Sequence, residues 1–267
     1  MFSGKRIVIK GAGDLATGVA ARLWRSGFPV VMTEIAQPLT VRRTVSFSDA
    51  IYEGETAVEG IAAWWAEDKA EILKSLDERV IPVRVDPEAT IVHDIEPFAV
   101  IDAIMAKKNI GTRMEDAPLV VGLGPGFAAG RDVHAVVETK RGHTLGRVIW
   151  KGSAIPNTGI PGEVRGFGAE RVIRAPGPGI FKGRISIGEH VEKGDIVAYA
   201  GDIPVPAPIS GMLRGLLHDG VMVAKGLKSG DVDPRDTRES CWLISDKALA
   251  IGGGVLEAIL TFISRLD

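Results

Sequence analysis

Three groups of residues along this chain have the types and spacing to do chemistry. The first is the turn KGAGDLA, where Gly11, Gly13 and Ala16 hold the positions of a G-x-G-x-x-G/A pattern. Gly11 permits a tight turn, Gly13 has no Cβ to hold a phosphate off the backbone, and Ala16 lets a helix pack closely on a sheet. From Ala12 through Asp14 and Leu15, the start of that helix offers N–H groups and a partial positive charge to an anion. Glu34 follows 21 residues after Gly13, where a carboxylate can accept hydrogen bonds from an adenosine ribose. Asp14 argues the other way. A carboxylate there suits the helix dipole but repels a phosphate, and a plain strand-to-helix turn needs the same glycines.

The second group is GLGPGFAAGRDVHAVVETKRGH, residues 122–143. Gly122, Gly124, Gly126 and Gly130 surround Pro125, so successive N–H groups can form an anion-binding nest, with Arg131 close by. Asp132, His134 and Glu138 share the parity of one strand face, and His143 follows in a basic turn. Such a set could do acid–base work or hold a metal. A solvated edge-strand face explains it as well, and no metal site is expected from it. The third group is Arg42 and Arg43, which could offset a 2′-phosphate or form a solvated basic pair.

These residues need a scaffold that places them at strand ends. Residues 6–10 (RIVIK) form a short apolar run ending at Gly11, as a buried parallel strand does. Leu15, Val19 and Leu23, flanked by Ala16 and Ala20, give one apolar helix face, and Gly27 sits just past its end. Residues 29–32 lead a second strand to Glu34. Beyond it, 60–76 reads as helix and 79–85 as strand. Residues 97–101 read as a strand leading into a short helix that ends near Asn109, and 118–123 as another buried strand. Strands alternating with helices predict an α/β, mostly parallel sheet, and hence a Rossmann-type nucleotide-binding domain over 1–155. Both glycine loops follow strands, so they could line one crevice at the carboxyl ends of the sheet.

From Arg171 the chain repeats itself at a spacing of 32 residues. Ala175 and Pro176 match Ala207 and Pro208. Gly179, Gly188, Val191, Lys193 and Gly194 match Gly211, Gly220, Val223, Lys225 and Gly226. The pair of copies resembles the two halves of a lipoyl/biotinyl-type barrel-sandwich domain, expected over 156–245 with an irregular linker at 159–162. Carriers of that type bear lipoate or biotin on a lysine of the joining hairpin. The hairpin here, YAGDIPVP at 199–206, has no lysine. Covalent lipoate or biotin is therefore excluded, and the resemblance implies a scaffold or interaction role. The turn GDVDPRD, with Asp231, Asp233, Arg235 and Asp236, reads as solvated. A terminal helix over 246–267 carries Gly252, Gly253 and Gly254, each costing roughly 1 kcal/mol in a helix interior, which implies a kink or a close backbone contact.

Composition narrows the partners. A net charge of −2 gives no electrostatic reason to expect nucleic acid. No stretch approaches the roughly 18 apolar residues that cross a bilayer, and the one cysteine, Cys241, rules out an intramolecular disulfide. A cytoplasmic protein without membrane or nucleic-acid partners is expected, with homo-oligomerisation left open.

The longer motifs converge. KGAGDLATGVAARL, MTEIAQPLTVRRTVSF, GLGPGFAAGRDVHAVVETKRGH, PNTGIPG, APISGMLRGLL, GDVDPR and GGGVLEAIL together resemble the YqeB family, over nearly the full chain. That resemblance implies a protein of a selenium-dependent molybdenum hydroxylase system and carries over no catalytic residues. Three functions fit. An accessory or maturation factor would bind a nucleotide or pterin-nucleotide cofactor and dock on a molybdenum hydroxylase or its maturation factors. An NAD(P)-dependent oxidoreductase would use His134 or His143 as its acid–base group. A non-enzymatic regulator would sense a nucleotide.

Overall fold

The computed structural model describes every residue except Met1, Ser3, Thr158, Ile160, Pro161, Gly162 and Asp267. Most of the linker expected at 159–162 therefore lies outside the described residues. The chain forms two compact units. The first comprises Met1–Ala36, Phe47–Thr158 and Ile244–Asp267; the second comprises Gln37–Ser46 and Gly159–Leu243. This division differs from the expected 1–155, 156–245 and 246–267, because a short early segment joins the second unit and the last helix returns to the first.

In the first unit, β1 (Ile7–Lys10) is buried throughout and runs into α1 (Asp14–Arg25) and then β2 (Val30–Glu34). Next come α2 (Ala50–Glu53), β3 (Glu55–Val58), β4 (Ile61–Trp65) and α3 (Lys69–Asp77). They are followed by β5 (Ile81–Val85), α4 (Ile91–Ile95), β6 (Ala99–Asp102) and β7 (Leu119–Leu123). The short strands β8 (Ala128–Ala129), β9 (Ala135–Val137), β10 (Val148–Ile149) and β11 (Gly152–Ser153) complete the middle of the chain. The terminal helix is α5 (Asp246–Ile263), N-capped by Ser245.

Among the described residues this unit carries a nine-stranded sheet in the order β10-β9-β7-β6-β1-β2-β5-β4-β3. The run from β9 to β4 is parallel throughout, while β10 and β3 pair antiparallel at the two edges. The Rossmann-type expectation is thus corrected to a large mixed sheet. Residues 61–65, expected as helix, are strand β4, rich in large side chains and closed by an Asp68 cap at the start of α3. No α-helix lies between β6 and β7 or between β7 and β9 among the described residues, and the short helix expected near Asn109 is a loop. Instead, α5 packs against α1, β7, β9 and β10. A segment from the far end of the chain therefore covers the face that local crossover helices would otherwise protect. Val8, Val31, Val100, Val120 and Val136 pack with Ile72, Ile91 and Ile95 in a second apolar layer.

The glycine triplet explains how α5 sits so close. A Cβ at Gly252 would lie 2.8 Å from the carbonyl oxygen of Gly18 in α1, and one at Gly18 would meet Ala248. Gly254 likewise presses on the backbone of Gly146, whereas Gly253 faces open space. Close contact, rather than a kink, accounts for two of the three glycines.

The second unit contains β12 (Val172–Arg174), β13 (Gly179–Gly183), β14 (His190–Val191) and β15 (Ile196–Ala200). It continues with β16 (Ile203–Pro206), β17 (Gly211–Leu216), β18 (Met222–Val223) and β19 (Lys228–Asp233). Its described residues form two four-stranded antiparallel sheets, β12-β19-β17-β14 and β16-β15-β13-β18. This replaces the expected lipoyl/biotinyl-like barrel-sandwich. The 32-residue repeat survives in the backbone. It carries the first sheet's order onto the second, and each sheet draws strands from both copies. Matching glycines share conformations: Gly188 and Gly220 have φ of 91° and 87°, and Gly194 and Gly226 have 98° and 84°. Gly194 N–H donates to Ala207 O and Gly226 N–H to Ala175 O, so each copy closes on the other.

Asp231 and Asp233 are buried, not solvated as expected. Arg171 and Arg214 pair with Asp231, and Arg214 and Arg235 with Asp233. Burial alone would raise the Asp233 carboxyl, but hydrogen bonds from Arg235 and the charge of Arg214 outweigh it and hold the group at about 2. A depressed carboxyl stabilises the fold above its usual value of 3.8, and that contribution is lost as pH falls through about 2. In thermal melts, Asp233→Asn should lower Tm at neutral pH and flatten the decline between about pH 4 and 2. For the first unit, Gly252→Ala should cost about 1–3 kcal/mol by overpacking against Gly18. Gly253→Ala should raise Tm, by helix propensity, through up to about 1 kcal/mol.

Candidate functional site

The carboxyl ends of the parallel strands β2, β1, β6, β7 and β9 form one edge of the first unit's sheet. After β1, Gly11 adopts φ of 95°, and a Cβ there would lie 3.2 Å from the Ala103 carbonyl oxygen. Gly13 is the extended N-cap of α1 and, as a glycine, supplies no side-chain cap of its own to that helix end. Glu34 departs from its expected role. Its carboxylate accepts the Ala12 N–H at 2.9 Å and the Ile35 N–H at 2.8 Å, so it closes the turn. Burial pushes the Glu34 carboxyl up, and those two amides only partly oppose it.

The second glycine loop is shaped by what it seats. Gly122 lies against the Phe127 ring, Gly124 (φ 72°) against the Thr139 side chain, and Gly126 (φ 117°) against the backbone of Lys107 and Lys108. The intervening loop, 103–113, is pinned from below. Lys10 Nζ donates to Thr112 Oγ1 at 2.7 Å, and Thr112 Oγ1 donates to Asp102 Oδ2 at 2.6 Å, with all three residues buried. Asn109 Oδ1 accepts the N–H groups of Gly111 and Thr112, closing the bend. One wall, reaching from Gly11 to Gly126, thus separates and joins the two glycine turns.

Glu138 follows β9 and is buried. Its carboxylate accepts N–H groups from Thr139, Lys140 and Ile155 at 2.7, 2.7 and 2.8 Å, which makes it a backbone organiser. Lys247, at the start of α5, shares an electrostatic neighbourhood with Asp14, Glu138, Arg141 and Asp246. Burial, then Arg141, lowers its ammonium below the usual range, while the three carboxylates oppose that shift. Arg141 itself pairs with Asp246 at 2.7 Å. Lys247 had no sequence signal: it lies far from the glycine turn along the chain, and only the α1–α5 contact brings it back.

The other expected residues do not assemble. Strand β9 is short, so His134 and Glu138 flank its opposite ends. His134 Nδ1 accepts the Val120 N–H at 2.9 Å, and burial lowers its pKa against an opposing influence of Glu115. Asp132 sits in the preceding turn, accepting the Ala128 N–H and pairing with exposed Arg131, which holds its carboxyl low. His143 is exposed. Among the described residues, no three His, Cys, Asp or Glu side chains come together as a metal-binding group. Arg42 and Arg43 belong to the second unit, where they donate to the carbonyls of Ser240, Leu243 and Leu216. A cleft of about 690 Å³ lies at the amino ends of β6 and β7, lined by His93, Glu96, Glu115 and Asp116. Its acidic lining is the wrong sign for a phosphate.

No protein-family model matches the chain. Over 254 residues, 95% of its length, the chain is 49% identical to a protein of Escherichia coli (strain K12) named uncharacterized protein YqeB. The chain spans about half the length of that relative, 47%. Among solved structures, a succinylglutamate desuccinylase from Silicibacter aligns with 87% of this chain and 85% of its own, at 12% identity and a TM-score of 0.26. An aspartoacylase family protein from Mesorhizobium loti aligns with 87% and 86%, at 13% identity and a TM-score of 0.28. At such TM-scores neither likeness carries an argument about fold or activity. No helix among the described residues is long and apolar enough to cross a membrane.

Glu34 supplies a test of the turn's construction. Glu34→Ala leaves the buried Ala12 N–H without its acceptor and should cost about 1–3 kcal/mol. Glu34→Gln keeps one acceptor oxygen and removes a desolvated charge, so its melting temperature should lie nearer that of the natural chain. Equal losses in both variants would assign the contribution to charge instead.

Proposed function

We propose that this chain is an accessory protein of a selenium-dependent molybdenum hydroxylase system, and that it holds a nucleotide or pterin-nucleotide cofactor at the carboxyl edge of its large sheet. The observation that carries the binding reading is the packing of α5 on α1, where Ala248 lies against Gly18 and neighbouring Lys247 comes under the influence of Asp14 at the N-terminus of α1. Asp14 alone would repel a phosphate; a lysine within its electrostatic reach offsets that charge and leaves the helix dipole and amides to act on the ligand. The link to the hydroxylase system rests on the motif resemblance alone. In this reading the second unit, whose β15–β16 hairpin has no lysine, is the module that meets the hydroxylase or its maturation factors.

The alternative of an NAD(P)-dependent oxidoreductase receives less support. Its acid–base candidates are His134, bonded to the Val120 amide across the strand from the glycine-turn edge, and His143, out in solvent. A nucleotide-sensing regulator would use the same binding edge and differ in showing a ligand-dependent oligomeric state without turnover.

Native mass spectrometry of freshly purified chain should show a retained nucleotide, and calorimetry should measure its rebinding. Gly13→Val and Lys247→Met should each weaken that binding about ten-fold or more, the first by blocking the backbone and the second by exposing the ligand to Asp14. A folded chain that neither retains nor binds any nucleotide would sink the reading.

A further inference from the structure

The carboxyl edge holds a second set of basic groups that the glycine-turn reading does not use. Lys107 and Lys108 lie on the 103–113 wall, whose backbone fills the space beside Gly126; Lys140 follows Thr139, which fills the space beside Gly124. Exposed lysines thus lie on the two segments that pack beside the Gly124–Pro125–Gly126 turn. All three are solvent-facing and enter no ion pair among the described residues. Their basic neighbours differ, since Arg131 is paired with Asp132 and Arg141 with Asp246. The nearby acids are also committed: Asp102 accepts from Thr112 and the Ile104 amide, and Glu138 from three amides.

The wall that presents Lys107 is held in an uncommon shape. Met105 and Lys107 have φ of 62° and 65°, a region non-glycine residues rarely occupy, and the Lys10–Thr112–Asp102 chain and the Asn109 bend fix the loop around them. Backbone held in this way beside a turn is typical of ligand clamps. Exposed lysines carried on two loops beside one glycine turn can meet an anion with charge spread over more than one centre, such as a diphosphate.

We infer that Lys107, Lys108 and Lys140 form a second anion subsite around the Gly124–Pro125–Gly126 turn, which selects ligands bearing a diphosphate. This extends the nucleotide reading above, and one experiment separates the two. Inorganic pyrophosphate, ADP and AMP are titrated calorimetrically into the full natural chain, the Lys107→Ala/Lys108→Ala/Lys140→Ala variant and Gly13→Val. The three lysines are exposed, so the variant should melt like the natural chain. Pyrophosphate and ADP should bind the triple variant about ten-fold more weakly or worse, and its preference for ADP over AMP should shrink. Pyrophosphate that fails to bind the natural chain at millimolar concentration, or binds both chains equally, overturns the subsite. Lysine-dependent pyrophosphate binding without any nucleotide binding upholds the subsite and overturns the nucleotide reading. Nucleotide binding sensitive to Gly13→Val but unchanged in the triple variant does the reverse.

Discussion

The contact between α1 and α5 is the constraint on which the first unit depends. Two helices far apart in sequence approach until the backbone of Gly252 meets that of Gly18, a distance available only because neither residue has a side chain. Three glycines in one helix lower its intrinsic stability by roughly 1 kcal/mol each, so α5 forms because packing holds it. Its seat on β7, β9 and β10 also protects the part of the sheet that lacks crossover helices. The chemistry follows from the same contact, because Lys247 reaches the neighbourhood of Asp14 only when α5 is docked.

The glycines of the two turns show how packing and recognition overlap. Gly11 and Gly126 both let the 103–113 wall come close, and Gly124 admits Thr139. Each is therefore required by the protein's own contacts, whatever binds. Glu34 makes the same point from the side of polarity, since the carboxylate expected to greet a ribose is spent on the Ala12 and Ile35 amides. Lys107, Lys108 and Lys140 remain outward-facing at this edge, and they lie on the loops that the glycines seat.

Local signals were legible where the cause is local. The buried β1, the apolar face of α1 and the turn at Gly27 all follow from neighbours within a few residues. The β3–β4 hairpin was missed because Ile61–Trp65 is an apolar run short enough to suit either a helix or a strand. The mixed character of the sheet comes from its short antiparallel edge strands β3 and β10, while the helix that covers β7, β9 and β10 comes from the other end of the chain. Among site residues, parity placed Asp132, His134 and Glu138 on one strand face, yet β9 is short and those residues lie beyond its ends, where parity no longer applies. Lys247 and the Lys10–Thr112–Asp102 chain are products of tertiary proximity and left no pattern to read.

The second unit separates backbone symmetry from chemical symmetry. Its repeat reproduces strand order and glycine conformation, yet the two carboxylates of the network, Asp231 and Asp233, both belong to the second copy. Asp231 and Asp233 of β19 correspond across 32 residues to Tyr199 and Gly201, and Arg214 corresponds to Lys182. A structural need common to both copies would have placed charge in each. Burying two carboxylates is costly unless arginines pair with them, and such pairs fix a specific geometry more than they add stability. The network therefore marks the place where one copy has departed from the other. Its arginines Arg171 and Arg214 are largely buried with the carboxylates they bind, so the geometry they fix is that of the sheet β12-β19-β17-β14 alone.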